Sequence, residues 1–409
     1  MTSSASTSVT FDDVAMAADR VATHVERTPT ARARTLSEIT GADVVVKFEN
    51  LQFTASYKER GALNRLLLLG DDCRGVVTAS AGNFAQGVSY HATRLGIPAV
   101  IVMPVGTPAL KVSRTGALGA EVVVRGTDFE ESAAVAAEVA AERGFELLSP
   151  FDDAEVIAGQ GTVALELLAD APDVDTIIVP VGGGGLMAGM AVAVRHLQPE
   201  IELVGVQSER YPAMHNLLSS AEPVPEPGGS TIAEGIAVAK PGARPTEIIR
   251  HLVDRVDVVP ESKIEEAIGL YLEIEKTVAE GAGAIALAEL LTRPERYAGK
   301  RVAVVLSGGN IDLRQLASVT LRSLARTGRL TRIRVQIDDR PGGLGVITTA
   351  VGELGGNIIE VVHQRLDPTL HSRASEVELT IETSGPEHLD AVLAGLRERG
   401  HAVRTDARA

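Results

Sequence analysis

The chain has 409 residues, a formal net charge of −15, and a composition that is 45% hydrophobic and 23% charged. That is an ordinary globular composition in a chain longer than the ~250 to 300 residues at which a single core stops growing, so one large unit plus a smaller one is expected. The acidic balance with scattered basic residues argues against a nucleic-acid partner, and the one cysteine, Cys73, can form neither an internal disulfide nor a thiolate zinc cage.

Residues 1–10 are rich in Ser and Thr but lack the basic and apolar regions of a signal peptide, and read as a short frayed tail. No apolar run approaches the ~20 residues that span a bilayer, and the histidines show no metal-ligand spacing. A soluble cytoplasmic protein with no membrane partner and no metal is expected.

The first segment that can carry chemistry is Ser56-Tyr57-Lys58-Glu59-Arg60-Gly61-Ala62, preceded by Glu49-Asn50-Leu51-Gln52. A lysine opening a helix is by itself more often solvated than catalytic. From residue 75 onward, short β-branched runs at 75–78, 99–103, 121–124, 176–181, 202–206 and 301–306 alternate with helix-like stretches such as 133–143. Buried strands alternating with helices predict a three-layer α/β body with parallel sheets.

Directly after the first run comes Ser80-Ala81-Gly82-Asn83-Phe84-Ala85-Gln86-Gly87. Small residues at a strand-to-helix turn leave backbone N–H groups pointing outward, a competent site for a carboxylate, although a plain tight turn is the blander reading. Gly182, Gly183, Gly184, Gly185 and Leu186 follow the run at 176–181 and precede a helical pattern over 187–196. Their amides and the helix N-terminus read as a phosphate cup. The Lys-Ser/Thr of a P-loop is missing. Gly183, Gly185 and Ala188 formally satisfy G-x-G-x-x-A with Glu209 ~20 residues on, so a nicotinamide-binding protein stays open as a rival, one that leaves the other segments unexplained.

Glu280-Gly281-Ala282-Gly283-Ala284 reads equally as a closely packed helix start or as part of a site. Ser307-Gly308-Gly309-Asn310 follows the run at 301–306. The three glycine-bearing turns thus sit at the carboxyl ends of predicted strands, where open α/β sheets bind ligands, and are expected to line one crevice.

After Gly328 the rhythm changes. Ile333, Val335 and Ile337 alternate with polar residues; Leu344, Ile347, Val351 and Leu354 share a helical face; and 357–362 reads as a second strand. Val377, Leu379 and Ile381 mark a third strand, Leu389, Val392, Leu393 and Leu396 a second helix, and 402–404 a last strand. His363 and His371 read as solvated residues of a loop, and Cys73 as incidental. The order is β-α-β-β-α-β.

Taken together, the four motifs, in their order and spacing over about residues 20–320, resemble the fold-type II pyridoxal-phosphate enzymes, whose fold is like that of the tryptophan synthase β chain, and among them the threonine dehydratases. The tail, with its Asp339-Arg340-Pro341-Gly342 turn, resembles the ferredoxin-like ACT domain, so the chain looks like a threonine ammonia-lyase with a single ACT domain. The resemblance implies an α/β catalytic domain over 1–328, with a small subdomain at roughly 48–147, and a regulatory domain over 329–409. It implies the cofactor pyridoxal 5'-phosphate, joined to Lys58 as a Schiff base, with Tyr57 beside it, Asn83 on its ring hydroxyl, Gly182 to Leu186 on its phosphate and Ser307 facing its pyridine nitrogen. Ser80, Ala81, Gly82, Asn83 and Phe84 would hold the substrate, with Ser80 and Lys58 as the catalytic groups.

The activity so implied is dehydration and deamination of L-threonine, and of L-serine, by a homodimer or homotetramer that answers to an amino-acid effector, with isoleucine or valine suiting feedback on isoleucine biosynthesis. The family usually has histidine where this chain has Phe84, which leaves phenylserine-like substrates open, and hydroxyaspartate as well. Serine racemases resemble this loop with a serine at the place of Ala81, so racemisation is disfavoured. Their metal-binding carboxylate falls loosely at Gln207. A catalytically dead amino-acid sensor is the rival from another class.

Overall fold

The computed structural model describes residues 9–219, 223–365 and 374–405. Most of the expected N-terminal tail, and His371, lie outside them. Thr10 is not frayed: its hydroxyl accepts from the Asp13 amide while the Asp13 carboxylate accepts from the Thr10 amide, a reciprocal cap on the helix Phe11–Val21. By its contacts the chain divides into two units, Met1–Ile311 and Asp312–Ala409. The helix Leu313–Arg326 goes with the second unit, where a boundary after residue 328 would leave it with the first.

The first unit contains two sheets. Its strands are β1 (Thr30–Arg32), β2 (Asp43–Phe48), β3 (Val76–Ala79), β4 (Ala99–Met103), β5 (Glu121–Val124), β6 (Glu146–Leu147), β7 (Thr176–Pro180), β8 (Glu202–Ser208), β9 (Arg255–Val259) and β10 (Arg301–Leu306). The larger sheet runs β1-β2-β10-β7-β8-β9, parallel except for β1, and the smaller runs β5-β4-β3-β6, all parallel. Every residue of β3, β4 and β7 is buried, as strands covered on both faces must be. One cover is the helix Gly281–Thr292, buried from Gly281 to Leu290 and lying against β7, β8, β9 and β10.

The pattern of apolar runs does not predict β2 and β9, because each carries charge. Lys47 in β2 is fully buried, with its ammonium donating to the Thr28 carbonyl (2.7 Å) and Glu166 (2.6 Å). In β9, Arg255 and Asp257 pair with each other at 2.8 Å.

The second unit comprises β11 (Leu330–Asp338), the helix Gly343–Glu353, β12 (Asn357–Gln364), β13 (Ala374–Glu382), the helix Pro386–Glu398 and β14 (Val403–Thr405). The antiparallel sheet is ordered β12-β13-β11-β14. Ile333, Val335, Val377, Leu379 and Ile381 pack in one core with Ile347, Val351, Leu389, Val392, Leu393 and Leu396, the residues that the two periodicities select. His363 is not in a loop: it lies in β12, half-buried, 3.0 Å from the Ser375 hydroxyl.

Candidate active site

Residues 55–57 run against the extension of β10. Ser56 bridges to Gly308, the Tyr57 amide donates to the Ser307 carbonyl at 3.2 Å, and the Gly309 amide donates to the Ala55 carbonyl at 2.9 Å. Ala55 sits at φ +55°, a left-handed conformation that costs a residue with a Cβ about 1–2 kcal/mol. The strained turn ends where the helix Lys58–Leu67 begins, and so delivers Lys58 to the end of β10.

The half-buried Lys58 donates from Nζ to the Pro150 carbonyl at 3.1 Å, with the Tyr57 ring centre 5.2 Å and the Phe84 ring centre 6.0 Å away. Burial pushes its amine down from 10.5 to about 8; the Glu280 carboxylate opposes that shift without cancelling it. Burial, with Glu280 nearby, raises the Tyr57 phenol.

Behind the lysine, Arg60 is wholly buried. Its guanidinium grips Glu49 through Nε and one terminal nitrogen, both at 2.8 Å, and Glu166 at 2.7 and 2.8 Å. Two bidentate contacts on a planar fork fix the first turn of this helix against the body.

Ser80 follows β3. Its Oγ accepts from the amides of Gly82 (3.4 Å) and Ala85 (3.3 Å), tying the turn to the helix Asn83–Leu95. Ala81 packs half-buried at the edge of the small-sheet core, and the Phe84 ring lies inside that core with Ala62, Leu66 and Val76, only 2% exposed. The glycine turn follows β7. Gly184, at φ +97°, turns the chain into the helix Gly185–Leu197, whose first turn no side chain caps. A Cβ on Gly183 would collide with the Phe151 ring, so the loop lies close against the segment whose Pro150 carbonyl holds Lys58.

Asn83 joins two further elements. Its Nδ2 donates to Glu280 Oε1 at 2.6 Å, and its Oδ1 accepts from Asn310 Nδ2 at 2.8 Å. Glu280 precedes the helix Gly281–Thr292, and burial raises its carboxyl to about 7. Ser307, 3% exposed, makes a long 3.4 Å contact to the Ala282 carbonyl.

Lys58, Tyr57, Ser80, Asn83, Gly182 to Leu186 and Ser307 thus all lie on segments at or packed against the carboxyl ends of β3, β7 and β10, where the sequence places its glycine turns. Near Glu280, Lys111 in the helix Ala109–Ala117 pairs with Glu234 at 2.5 Å, and both act electrostatically on that carboxyl. Sequence reasoning misses that pair, the Pro150 carbonyl and the Phe151 ring, none of which carries a local signal; Asn310 and Glu280 stand within quoted motifs but are not separated there from packing roles. Glu209, which a dinucleotide site would turn toward a ribose, instead accepts from the Glu261 amide at 3.0 Å. Gln207 is buried, donating to the Val181 carbonyl and accepting from the His215 amide. Among the described residues no helix is long and apolar enough to cross a membrane, and no group of three His, Cys, Asp or Glu is placed to hold a metal ion.

Residues 21–308 match the protein family described as "Pyridoxal-phosphate dependent enzyme". The L-threonine ammonia-lyase of Thermotoga maritima is 41% identical over 398 residues, 97% of this chain and 99% of the relative. Among solved structures, a threonine deaminase from T.th. has a TM-score of 0.69 at 38% identity, covering 74% of this chain and 99% of that one. Maize serine racemase has a TM-score of 0.71 at 33% identity, covering 78% and 98%.

Proposed function

The chain belongs to the pyridoxal-phosphate-dependent enzymes, and from that premise we propose that it is an ammonia-lyase converting L-threonine to 2-oxobutanoate and ammonia, and L-serine to pyruvate and ammonia. The observation that carries this reading is one lysine amine, lowered to about 8, at the meeting point of three strand-end loops. Similarity to an L-threonine ammonia-lyase along nearly the full length of both chains selects the substrate.

The residues present fit pyridoxal 5'-phosphate. Lys58 supplies the amine that would hold it, the uncapped helix start at Gly182 to Leu186 a set of amides for its phosphate, Asn83 a side-chain amide for its ring oxygen, and Ser307 a neutral hydroxyl for its ring nitrogen. When bound, the cofactor supplies the conjugated ring that takes up the electron pair of the substrate's α-C–H bond.

The chain's own residues do the rest. Lys58 Nζ, whose amine burial lowers to about 8, takes the α-proton. Because Ser80 Oγ already accepts from two backbone amides, its hydrogen is left to donate to the substrate carboxylate beside the loop amides of Ala81, Asn83 and Phe84, which fixes the α-C–H bond toward Lys58. The proton held by Lys58 goes to the β-hydroxyl, which leaves as water, and hydrolysis of the released unsaturated amine gives the 2-oxo acid and ammonia. Ala81 has no proton to give from the opposite face, which favours elimination over racemisation. The Phe84 ring is packed away, so its backbone amide rather than its ring serves the substrate.

The second unit we read as an amino-acid-sensing ACT domain. Its support is the β-α-β-β-α-β order, the sheet order β12-β13-β11-β14, and the turn before its first helix, where Gly342 takes φ +87°. An amino-acid effector, a homodimeric or homotetrameric assembly and a cytoplasmic setting belong to the same reading.

The test is 2-oxo acid release from L-threonine, L-serine and L-threo-phenylserine measured side by side. Threonine is expected to lead, and Lys58→Ala to lower turnover by on the order of 10³-fold or more. Phenylserine leading would overturn the substrate, and substantial activity in the alanine variant would overturn the role of Lys58.

A further inference from the structure

Glu280 and Asn310 lie 197 and 227 residues along the chain from Asn83, and neither is needed to close a helix by its side chain. Both end on the same amide. Asn310 Nδ2 donates one hydrogen to the Thr54 carbonyl at 2.6 Å and the other to Asn83 Oδ1 at 2.8 Å. A carbonyl can only accept, so Thr54 fixes which end of the Asn310 amide faces inward, and Asn310 in turn fixes the oxygen of Asn83 toward itself. On the other side Glu280 Oε1 accepts from Asn83 Nδ2 at 2.6 Å. Gly308 leaves room for that carboxylate, since a Cβ there would collide with Oε1.

We propose that Glu280 and Asn310 are positioning residues that lock the Asn83 amide in one orientation, so that its remaining N–H, and not its carbonyl, is presented to the ring oxygen of the cofactor. The inference rests on Asn83 being the cofactor's neighbour. A donor there stabilises the deprotonated ring oxygen, whereas a flipped amide would set two oxygens against each other. Asn310 thus donates in two directions, back to Thr54 and on to Asn83, and Asn83 donates in turn to Glu280, an arrangement anchored at one end by a carbonyl and at the other by a carboxylate that accepts. The groups that face Glu280 are Asn83 from the helix Asn83–Leu95, Lys58 from the helix Lys58–Leu67, Lys111 from the helix Ala109–Ala117, and Glu234 from the turn Glu234–Ile236.

The experiment follows the absorption spectrum of the cofactor-loaded protein against pH for the parent chain, Glu280→Ala, Glu280→Gln and Asn310→Asp. The ratio of the long- to the short-wavelength band reports the protonation of the ring oxygen. Glu280→Ala frees the amide and Asn310→Asp puts an acceptor where a donor stood. Both are expected to move the midpoint of that ratio up by roughly one pH unit, a tenfold change at fixed pH, with Asn310→Asp the larger. Glu280→Gln keeps an acceptor and should restore the parent profile, which a role in folding alone would not produce. Parent-like profiles in both Glu280→Ala and Asn310→Asp, with cofactor bound, would overturn the inference and leave the cofactor reading intact. An unaltered protein that takes up no cofactor, shown by the absence of any such band, would overturn both.

Discussion

The two units solve the problem of burial in opposite ways. The core of the second unit is apolar: Ile333, Val335, Val377, Leu379 and Ile381 meet two helices, and the buried polar side chains among its described residues, Ser375 and Thr383, carry no charge. The first unit buries Arg60, two residues beyond Lys58 on the same helix, completely, together with Glu49 and Lys47 from the segment of β2. Buried ion pairs seldom add net stability, because desolvation offsets their attraction. Their presence beside Lys58 is therefore best understood as positioning, and the lesson is that a site can be located by where a fold accepts costly burial.

The largest effect that sharpens this contrast is expected from Arg60→Ala. Leaving Glu49 buried without its bidentate partner should destabilise the first unit by about 3–5 kcal/mol, read as a shifted denaturant midpoint, and Arg60→Lys should recover little of it. In the second unit Leu379→Ala should cost about 2–5 kcal/mol through the cavity it leaves, while uptake of cofactor by Lys58 stays as in the parent. A single unfolding transition that moves equally with both substitutions would break the comparison, since it would mean that the units melt as one.

A smaller effect concerns Lys58 itself. A lysine at about 8 gains free amine tenfold per pH unit up to that value and levels off above it, whereas one at 10.5 would keep gaining. The rate at which the cofactor-free protein captures pyridoxal 5'-phosphate, followed by absorbance, should show that plateau. The smallest effect is Ala55→Gly. Relief of the left-handed strain is offset by the greater freedom of glycine in the unfolded chain, so stability should stay within about 1 kcal/mol of the parent, on the stabilising side, by thermal or denaturant unfolding.

The same contrast governs what the sequence discloses. The second unit is readable because alternation in Val377, Leu379 and Ile381 and helical spacing in Leu389, Val392, Leu393 and Leu396 are local patterns set by the side facing the core. In the first unit the apolar strands β3, β4, β7 and β10 show themselves, and so do the glycine turns after three of them. β2 does not, because Lys47 looks like a surface residue until Glu166, 119 positions away, is beside it. The site is legible only as motifs. That Asn83, Glu280 and Asn310 touch, or that Pro150 receives the lysine, depends on how distant segments meet and leaves no trace in the spacing of residues. Phe84 shows both sides at once, since its place in the loop suggests a substrate contact while its ring, 2% exposed, packs in the small-sheet core with its centre 6.0 Å from Lys58 Nζ.

The relay through Asn83 also bears on how the protein is made. Its hydrogen bonds span 197, 227 and 256 residues of chain. At ~5–20 residues per second, the ribosome needs roughly 10 to 50 s to go from Thr54 to Asn310. Throughout that interval the emerging polypeptide already displays Lys58 but cannot yet orient Asn83. On the proposed roles of Lys58 and Asn83, loading of the prosthetic group in its final geometry is an event of late synthesis, and a chain cut short ahead of Asn310 would carry the Lys58 amine without the contacts that orient Asn83.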